Sequence, residues 1–156
     1  MVLAILQARC SSHRLPNKVL KPLLGRAMVL REMERLTRSR YIDQLVLATS
    51  TDVSDDPLCA LAKETGVNIY RGSLDDVLDR YYACAKEYGA EQIVRVTGDC
   101  PLIDWRVSDD VIARHLTEKN DYTHTTERFP DGLDTEVMTF AALAQAHREA
   151  QLTSER

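Results

Sequence analysis

Gln7-Ala8-Arg9-Cys10-Ser11-Ser12-His13-Arg14-Leu15-Pro16-Asn17-Lys18 follows directly on the apolar run of residues 2–6. A short continuous apolar run reads as a buried strand, and the polar stretch behind it as the loop leaving that strand's carboxyl end. The loop holds three cations, Arg9, Arg14 and Lys18, and two small hydroxyls, Ser11 and Ser12. Arginine's planar fork matches a pair of phosphate oxygens, so the cluster suits several oxyanions at once and points to a nucleoside triphosphate. A solvated basic loop is the plainer reading of any Arg/Lys cluster. Position favours a ligand, because open α/β sheets bind at the carboxyl ends of their strands. Neither G-x-G-x-x-G nor G-x-x-x-x-G-K-[ST] is present, which leaves side chains to carry the phosphate charge.

Outward from this loop, β-rich runs alternate with helical patterns. Strands are expected over residues 2–8, 44–49, 68–70, 93–96, 122–125 and 136–140, and helices over 28–38, 58–65, 73–88, 106–116 and 141–151. Met28, Leu30, Met33 and Leu36 mark one face of the first helix. Asp56 with Pro57 reads as the cap and first turn of the second helix, Ser73 as the cap of the third and Asp104 as the cap of the fourth. Pro130-Asp131-Gly132 reads as a turn. The alternation predicts an α/β fold, a three-layer α/β/α domain with a mostly parallel sheet and right-handed crossovers, and a single domain over 1–156.

A second polar stretch, Thr97-Gly98-Asp99-Cys100-Pro101-Leu102-Ile103-Asp104, again follows a buried strand. Asp99 there is either a turn residue or a magnesium ligand, since Mg2+ needs only one or two carboxylates beside waters and substrate phosphates. Arg71-Gly72-Ser73 meets a helix N-terminus, where free N–H groups favour an anion, although capping alone explains Ser73.

Gln-Ala-Arg-x-x-Ser-x-Arg-Leu-Pro-x-Lys-Val-Leu resembles the N-terminal signature of the sugar cytidylyltransferases, the group containing CMP-KDO and CMP-sialic acid synthetases. Val46-Leu47-Ala48-Thr49-Ser50, residues 71–81, residues 94–104 and Gly132-Leu133-Asp134-Thr135-Glu136-Val137 are together similar to the SpsF-type branch, in the same order along nearly the whole chain. The resemblance implies a Rossmann-like, GT-A-like nucleotidyltransferase domain that moves CMP from CTP to a sugar or sugar acid with release of pyrophosphate, in surface polysaccharide biosynthesis. It implies Arg9, Arg14, Lys18 and Asp99 as catalytic residues. Ala8, Arg9, Ser12, Arg14, Lys18, Arg71, Gly72, Asp76 and Thr97 fall on the nucleotide side, Arg128, Asp134 and Glu136 on the sugar side, and Mg2+ at Asp99. Turn carboxylates are the rival reading for Asp134 and Glu136. Two alternatives to this function are a sugar-phosphate nucleotidyltransferase using another base, whose loop normally carries glycines missing here, and a nucleotide- or sugar-binding module without turnover.

Three departures stand out. Asn17 replaces a usual Gly before the lysine, which Asn tolerates because it accepts left-handed turns. Ala27 replaces a common proline. The late acidic motif of the family, which supplies a second metal-side carboxylate, is expected beyond Arg156, so the chain reads as a C-terminally truncated relative with weak turnover.

Bulk composition sets outer bounds. The 156 residues are 44% hydrophobic and 28% charged with a formal net charge of −4, ordinary for a globular protein and without general pull toward nucleic acid. No run reaches the ~20 apolar residues of a membrane span, so no membrane partner and a cytoplasmic location are expected. Cys10, Cys59, Cys84 and Cys100 lack C-x-x-C spacing and the four histidines lack H-x-x-x-H spacing, so reduced thiols and no zinc are expected. Cys10 and Cys100, lying in the two polar stretches, are the thiols that could react. Monomer and homodimer both remain open.

Overall fold

A computed structural model describes residues 1–12 and 14–156; His13, part of the loop motif, lies outside the described residues. Its centre is a six-stranded sheet of β1 (Val2–Gln7), β4 (Gln44–Ser50), β5 (Asn68–Gly72), β6 (Gln92–Thr97), β7 (Tyr122–His124) and β8 (Glu136–Thr139), in the order β5-β4-β1-β6-β8-β7. β1 pairs in parallel with β4 and β6, and β4 with β5, while β8 runs antiparallel to both β6 and β7. The expected α/β class and mostly parallel sheet are thus present, with an antiparallel edge.

β1 is central because it is apolar on both faces, as a doubly covered strand must be. Ala4 and Leu6 point to a core shared with α1 (Met28–Leu36), α2 (Asp56–Lys63) and α4 (Trp105–Glu118), through Val29, Met33, Leu36, Leu58, Ala62 and Ile112. Leu3 and Ile5 point to the other core, with Tyr81, Cys84 and Ala85 of α3 (Val77–Glu87) and Leu143 of α5 (Phe140–Glu149). Leu3, Ile5 and Leu6 are wholly inaccessible, and each contributes about 1.5–3 kcal/mol through burial. Among the described residues no helix is long and apolar enough to cross a membrane.

The strand order reverses at β1, whose chain neighbour β4 lies on one side and β6 on the other. Such a switch point opens a crevice at the carboxyl ends of the strands. Gln7 stands level with Thr97 across the β1–β6 pair, so both polar stretches leave the sheet side by side at this crevice.

Three local expectations need correction. Between β1 and α1 the chain makes a hairpin of β2 (Pro22–Leu23) and β3 (Arg26–Ala27), too short to leave a periodic signal. Its turn residues Leu24 and Gly25 both have positive φ, 50° and 76°, as a two-residue hairpin of this twist demands. The cap of α3 is Asp76, whose carboxylate accepts from the Asp79 amide; Ser73 instead accepts from the Asp76 amide one turn earlier. α2 begins at Asp56, with Asp55 before it, and the Asp55 carboxylate is engaged elsewhere. Asn17 does adopt the left-handed conformation, at φ 56°.

Candidate active site

The crevice holds a cavity of about 370 Å³ lined by Gln7, Ala8, Arg9, Ser12, Arg14, Lys18, Thr97, Gly98 and Asp99. Seven residues singled out in the sequence, Ala8, Arg9, Ser12, Arg14, Lys18, Thr97 and Asp99, meet here from two stretches about ninety positions apart. The volume is within the range of small-ligand sites, ~300–1,000 Å³.

Two features bring the stretches together. The Gly98 amide donates to the Gln7 carbonyl at 2.7 Å, extending the β1–β6 ladder past its last register pair. A Cβ on Gly98 would stand 2.6 Å from the Ala8 Cβ and 3.0 Å from the Gln7 oxygen, so only glycine lets the two strand ends approach this closely. Gly98 is thus required by packing, a role the sequence motif did not distinguish.

The electrostatics are concentrated at one ion pair. Lys18 Nζ lies 3.0 Å from Asp99 Oδ2, both side chains being partly open to solvent. Burial alone would raise the Asp99 carboxyl, but hydrogen bonds from Lys18 and Thr97 outweigh it and hold the group below the usual carboxylate range. Asp99 is therefore an anion at neutral pH. Among the described residues Arg9 and Arg14 have no ion pair. Two arginines without carboxylate partners and one lysine sharing a single carboxylate leave the cavity wall with an excess of positive charge.

Asp99 is the one carboxylate in the lining, and no group of three or more His, Cys, Asp or Glu side chains gathers anywhere among the described residues. That donor set does not build a closed metal cage. It does fit Mg2+ held by one carboxylate with the remaining positions filled by water and ligand phosphates.

Glu32, which the sequence reading passed over, lies beneath this loop. It is wholly inaccessible on α1 and accepts from the Cys100 amide at 3.3 Å, and its other oxygen has no partner among the described residues. Burial pushes its carboxyl up to about 8, and the Asp99 charge pushes the same way. Its i, i+4 spacing between Met28 and Leu36 placed it on the apolar stripe, a signal available in the sequence. The cysteines beside the cavity do not fit a nucleophile's role. Cys10 and Cys100 are buried, and burial pushes each thiol up to about 11.

The other sequence-predicted residues do not line the cavity. Arg71 donates Nε to the Ser50 carbonyl at 2.8 Å, Nη1 to Asp56 Oδ1 at 2.7 Å and Nη2 to the Asp52 carbonyl at 2.8 Å. Gly72 packs against Tyr70 and Arg80, and Asp76 caps α3 while pairing with Arg156 Nε at 2.6 Å. Glu136 pairs with Arg95 and accepts from the Tyr122 hydroxyl at 2.9 Å. Asp134 is exposed and accepts from the Gly132 amide at 3.1 Å, and Arg128 is exposed.

A family model described as cytidylyltransferase matches residues 3–156. Over 150 residues the chain is 39% identical to an uncharacterized protein of Methanocaldococcus jannaschii, covering 96% of this chain and 61% of that protein. It is 37% identical over 127 residues to the spore coat polysaccharide biosynthesis protein SpsF of Bacillus subtilis, covering 79% of this chain and 53% of SpsF. The solved structure of a cytidylyltransferase from Leptospira borgpetersenii superposes with a TM-score of 0.96 at 33% identity, over 99% of this chain and 67% of that one. The chain thus spans between half and two thirds of the length of these relatives.

Proposed function

Because this chain belongs to the cytidylyltransferase family, we propose that its cavity binds CTP and transfers the CMP moiety to a sugar or sugar acid, releasing pyrophosphate. The observation that carries the reading is the convergence of Arg9, Arg14 and Lys18 with Asp99 in one cavity at the sheet's switch point. A sugar hydroxyl oxygen bonds to the α-phosphorus as the bond from that phosphorus to the bridging oxygen breaks, and the hydroxyl proton is released to solvent. Charge grows on the departing pyrophosphate, and Arg9, Arg14 and Lys18 are placed to offset it. Preorganised cations do this without reorganising at the moment of reaction, and no covalent nucleophile is needed.

Mg2+ is the proposed cofactor, and when bound it supplies charge neutralisation at the phosphate oxygens. Asp99 would hold it. Lys18, paired with Asp99 at the cavity wall, would be within the same site to meet a ligand phosphate. Arg128, Asp134 and Glu136 remain the proposed sugar side by resemblance, and surface polysaccharide synthesis the proposed setting, in line with the relative from Bacillus subtilis.

Thermal shift with magnesium and each of CTP, UTP, ATP and GTP tests the nucleotide. CTP is expected to raise the melting temperature most, since a ligand bound by the native state alone stabilises it by mass action. Equal shifts for all four would remove cytosine specificity. Pyrophosphate release with CTP and a panel of sugar acids then tests the transfer.

A further inference from the structure

We propose that Asp55 is the positioning residue of the cation loop, gripping its backbone from beneath so that Arg9, Arg14 and Lys18 face one ligand. This rests on the reading of that loop as a phosphate cradle.

The loop's geometry converges on one residue. The Cys10 carbonyl accepts from the amides of Ser12 at 2.8 Å and Asn17 at 2.9 Å, so it gathers both arms of the loop. The Cys10 amide donates to Asp55 Oδ1 at 2.7 Å. Arg9, immediately before Cys10, and Lys18, immediately after Asn17, are thus each one residue from a bond made at Cys10. If Cys10 moves, both cations move with it.

Asp55 is suited to hold that point because it is itself immobilised. It is wholly inaccessible, and its second oxygen accepts from the Thr49 hydroxyl at 2.8 Å, from the Ser50 amide at 3.1 Å and from the Ser50 hydroxyl. Four donors on one carboxylate offset the cost of burying it, and they hold its pKa down although burial pulls it up. The three Thr49 and Ser50 bonds join neighbours at the end of β4 and would suffice for a local turn. The Cys10 bond does not belong to that turn: it reaches across 45 positions to the β1 loop. Arg71 adds an outer layer, strapping the segment that carries Asp55 through the Ser50 and Asp52 carbonyls and Asp56. An asparagine at position 55 would present a single acceptor oxygen and turn an NH2 toward one set of donors. It therefore cannot serve Cys10 and β4 together.

The test compares Asp55→Asn with Asp109→Asn in the full chain. Asp109 is also a buried carboxylate serving a hydroxyl and a backbone amide, at Ser39 and Arg40, and it lies outside the cavity lining. Calorimetric titration with CTP plus magnesium and with inorganic pyrophosphate, together with amide hydrogen exchange at Cys10, reads the outcome. Asp55→Asn is expected to weaken both ligands by about tenfold or more and to speed Cys10 exchange, leaving the amides of β1 protected. Asp109→Asn is expected to lower the melting temperature while the folded protein keeps wild-type affinity. Wild-type affinity for both ligands in folded Asp55→Asn, or equal loss of affinity in Asp109→Asn, overturns the proposal. If Asp55→Asn does not fold, the pair Thr49→Val and Ser50→Ala, which loosens the carboxylate while retaining it, is expected to weaken both ligands severalfold, and unchanged affinity there overturns it. A wild-type protein that binds neither ligand overturns the cradle reading and this one with it, whereas binding that Asp55→Asn leaves intact removes this one alone.

Discussion

Two strand-to-helix junctions at the carboxyl ends of the parallel strands, residues 8–18 after β1 and residues 71–76 at the end of β5, look alike in sequence: each carries arginine, a small residue and at least one hydroxyl where a ligand would bind. The structure separates them by what their polar atoms already do. In the first junction Arg9, Arg14 and Lys18 face a cavity, and among the described residues only Lys18 pairs with a carboxylate, that of Asp99. In the second, Arg71 is spent on two carbonyls and Asp56, and Asp76 on the cap of α3 and on Arg156. In this structure the cations of the first junction line the cavity, while Arg71 is bonded to the frame beside it. Cations that are saturated internally hold the frame in which the others work.

The sharpest break of this comparison is at Asp99. Asp99→Asn removes the one carboxylate that lines the cavity among the described residues and with it the proposed hold on magnesium, worth several kcal/mol in the transition state. Pyrophosphate release is expected to fall by at least ~10²-fold while the melting temperature of the unliganded protein stays close to wild type. Turnover within a few-fold of wild type would take the metal away from Asp99.

Next in size is a pH effect at Glu32, on α1 beneath the Asp99 loop that faces the first junction. Glu32 has its carboxyl raised from 4.5 to about 8, so between those values the unfolded chain releases this proton while the folded protein keeps it. The folded state then binds more protons, and stability falls as pH rises through that window. The slope is at most about 1.4 kcal/mol per pH unit from this group. Glu32→Gln, a neutral side chain of the same shape, is expected to flatten the decline in melting temperature between pH 5 and 8. A variant that follows the wild-type curve would show that Glu32 ionises normally inside the fold.

Paired substitutions test the two junctions directly. Lys18→Ala or Arg14→Ala is expected to weaken CTP binding by ~1.5–3 kcal/mol, the worth of hydrogen bonds to charged groups, with little change in fold stability. Arg71→Ala should do the reverse, lowering the melting temperature through the loss of three bonds, with affinity for CTP and pyrophosphate reduced two- to threefold alike. If its loss is instead confined to CTP, Arg71 contacts the nucleoside and the second junction belongs to the site after all.

How far the sequence led depended on the range of the interaction. β1, the cation loop and the Asp99 loop were legible because apolar runs, charge and order along the chain are local properties, and the sheet's switch point then joins the two loops without further information. The α3 cap was misplaced because Ser73, Asp75 and Asp76 are all able to cap, and only the backbone decides among them. The β2–β3 hairpin escaped because two-residue strands have no periodicity and Leu24 is an unexpected residue at positive φ. Asp55 drew no reading, standing beside the Asp56-Pro57 helix start, because its decisive bond runs to Cys10, 45 positions away. Glu136 read as facing the sugar, and its alternative partner Arg95 lies on a strand that becomes its neighbour only when the sheet forms.

The smallest effects come from two glycines, Gly98 packed against the start of the first junction and Gly72 within the second, and they ask whether the difference extends to packing. An alanine at Gly98 would set its Cβ 2.6 Å from the Ala8 Cβ and 3.0 Å from the Gln7 carbonyl, atoms fixed to the central strand. Neither can yield without parting the ends of β1 and β6, so Gly98→Ala is expected to cost about 1–3 kcal/mol of stability and to weaken CTP binding with it. At Gly72 the neighbours are side-chain atoms, Tyr70 Cε1 at 3.0 Å and Arg80 Cγ at 3.1 Å, which can shift by a few tenths of an ångström. Gly72→Ala is therefore expected to cost less than about 1 kcal/mol and to leave nucleotide affinity unchanged. Denaturant melts and CTP titrations on both variants decide the matter. Equal losses at the two glycines would mean that the second junction is as tightly fixed to the cavity as the first, and that its arginine and aspartate hold the nucleotide site's geometry as closely as the loop that lines it.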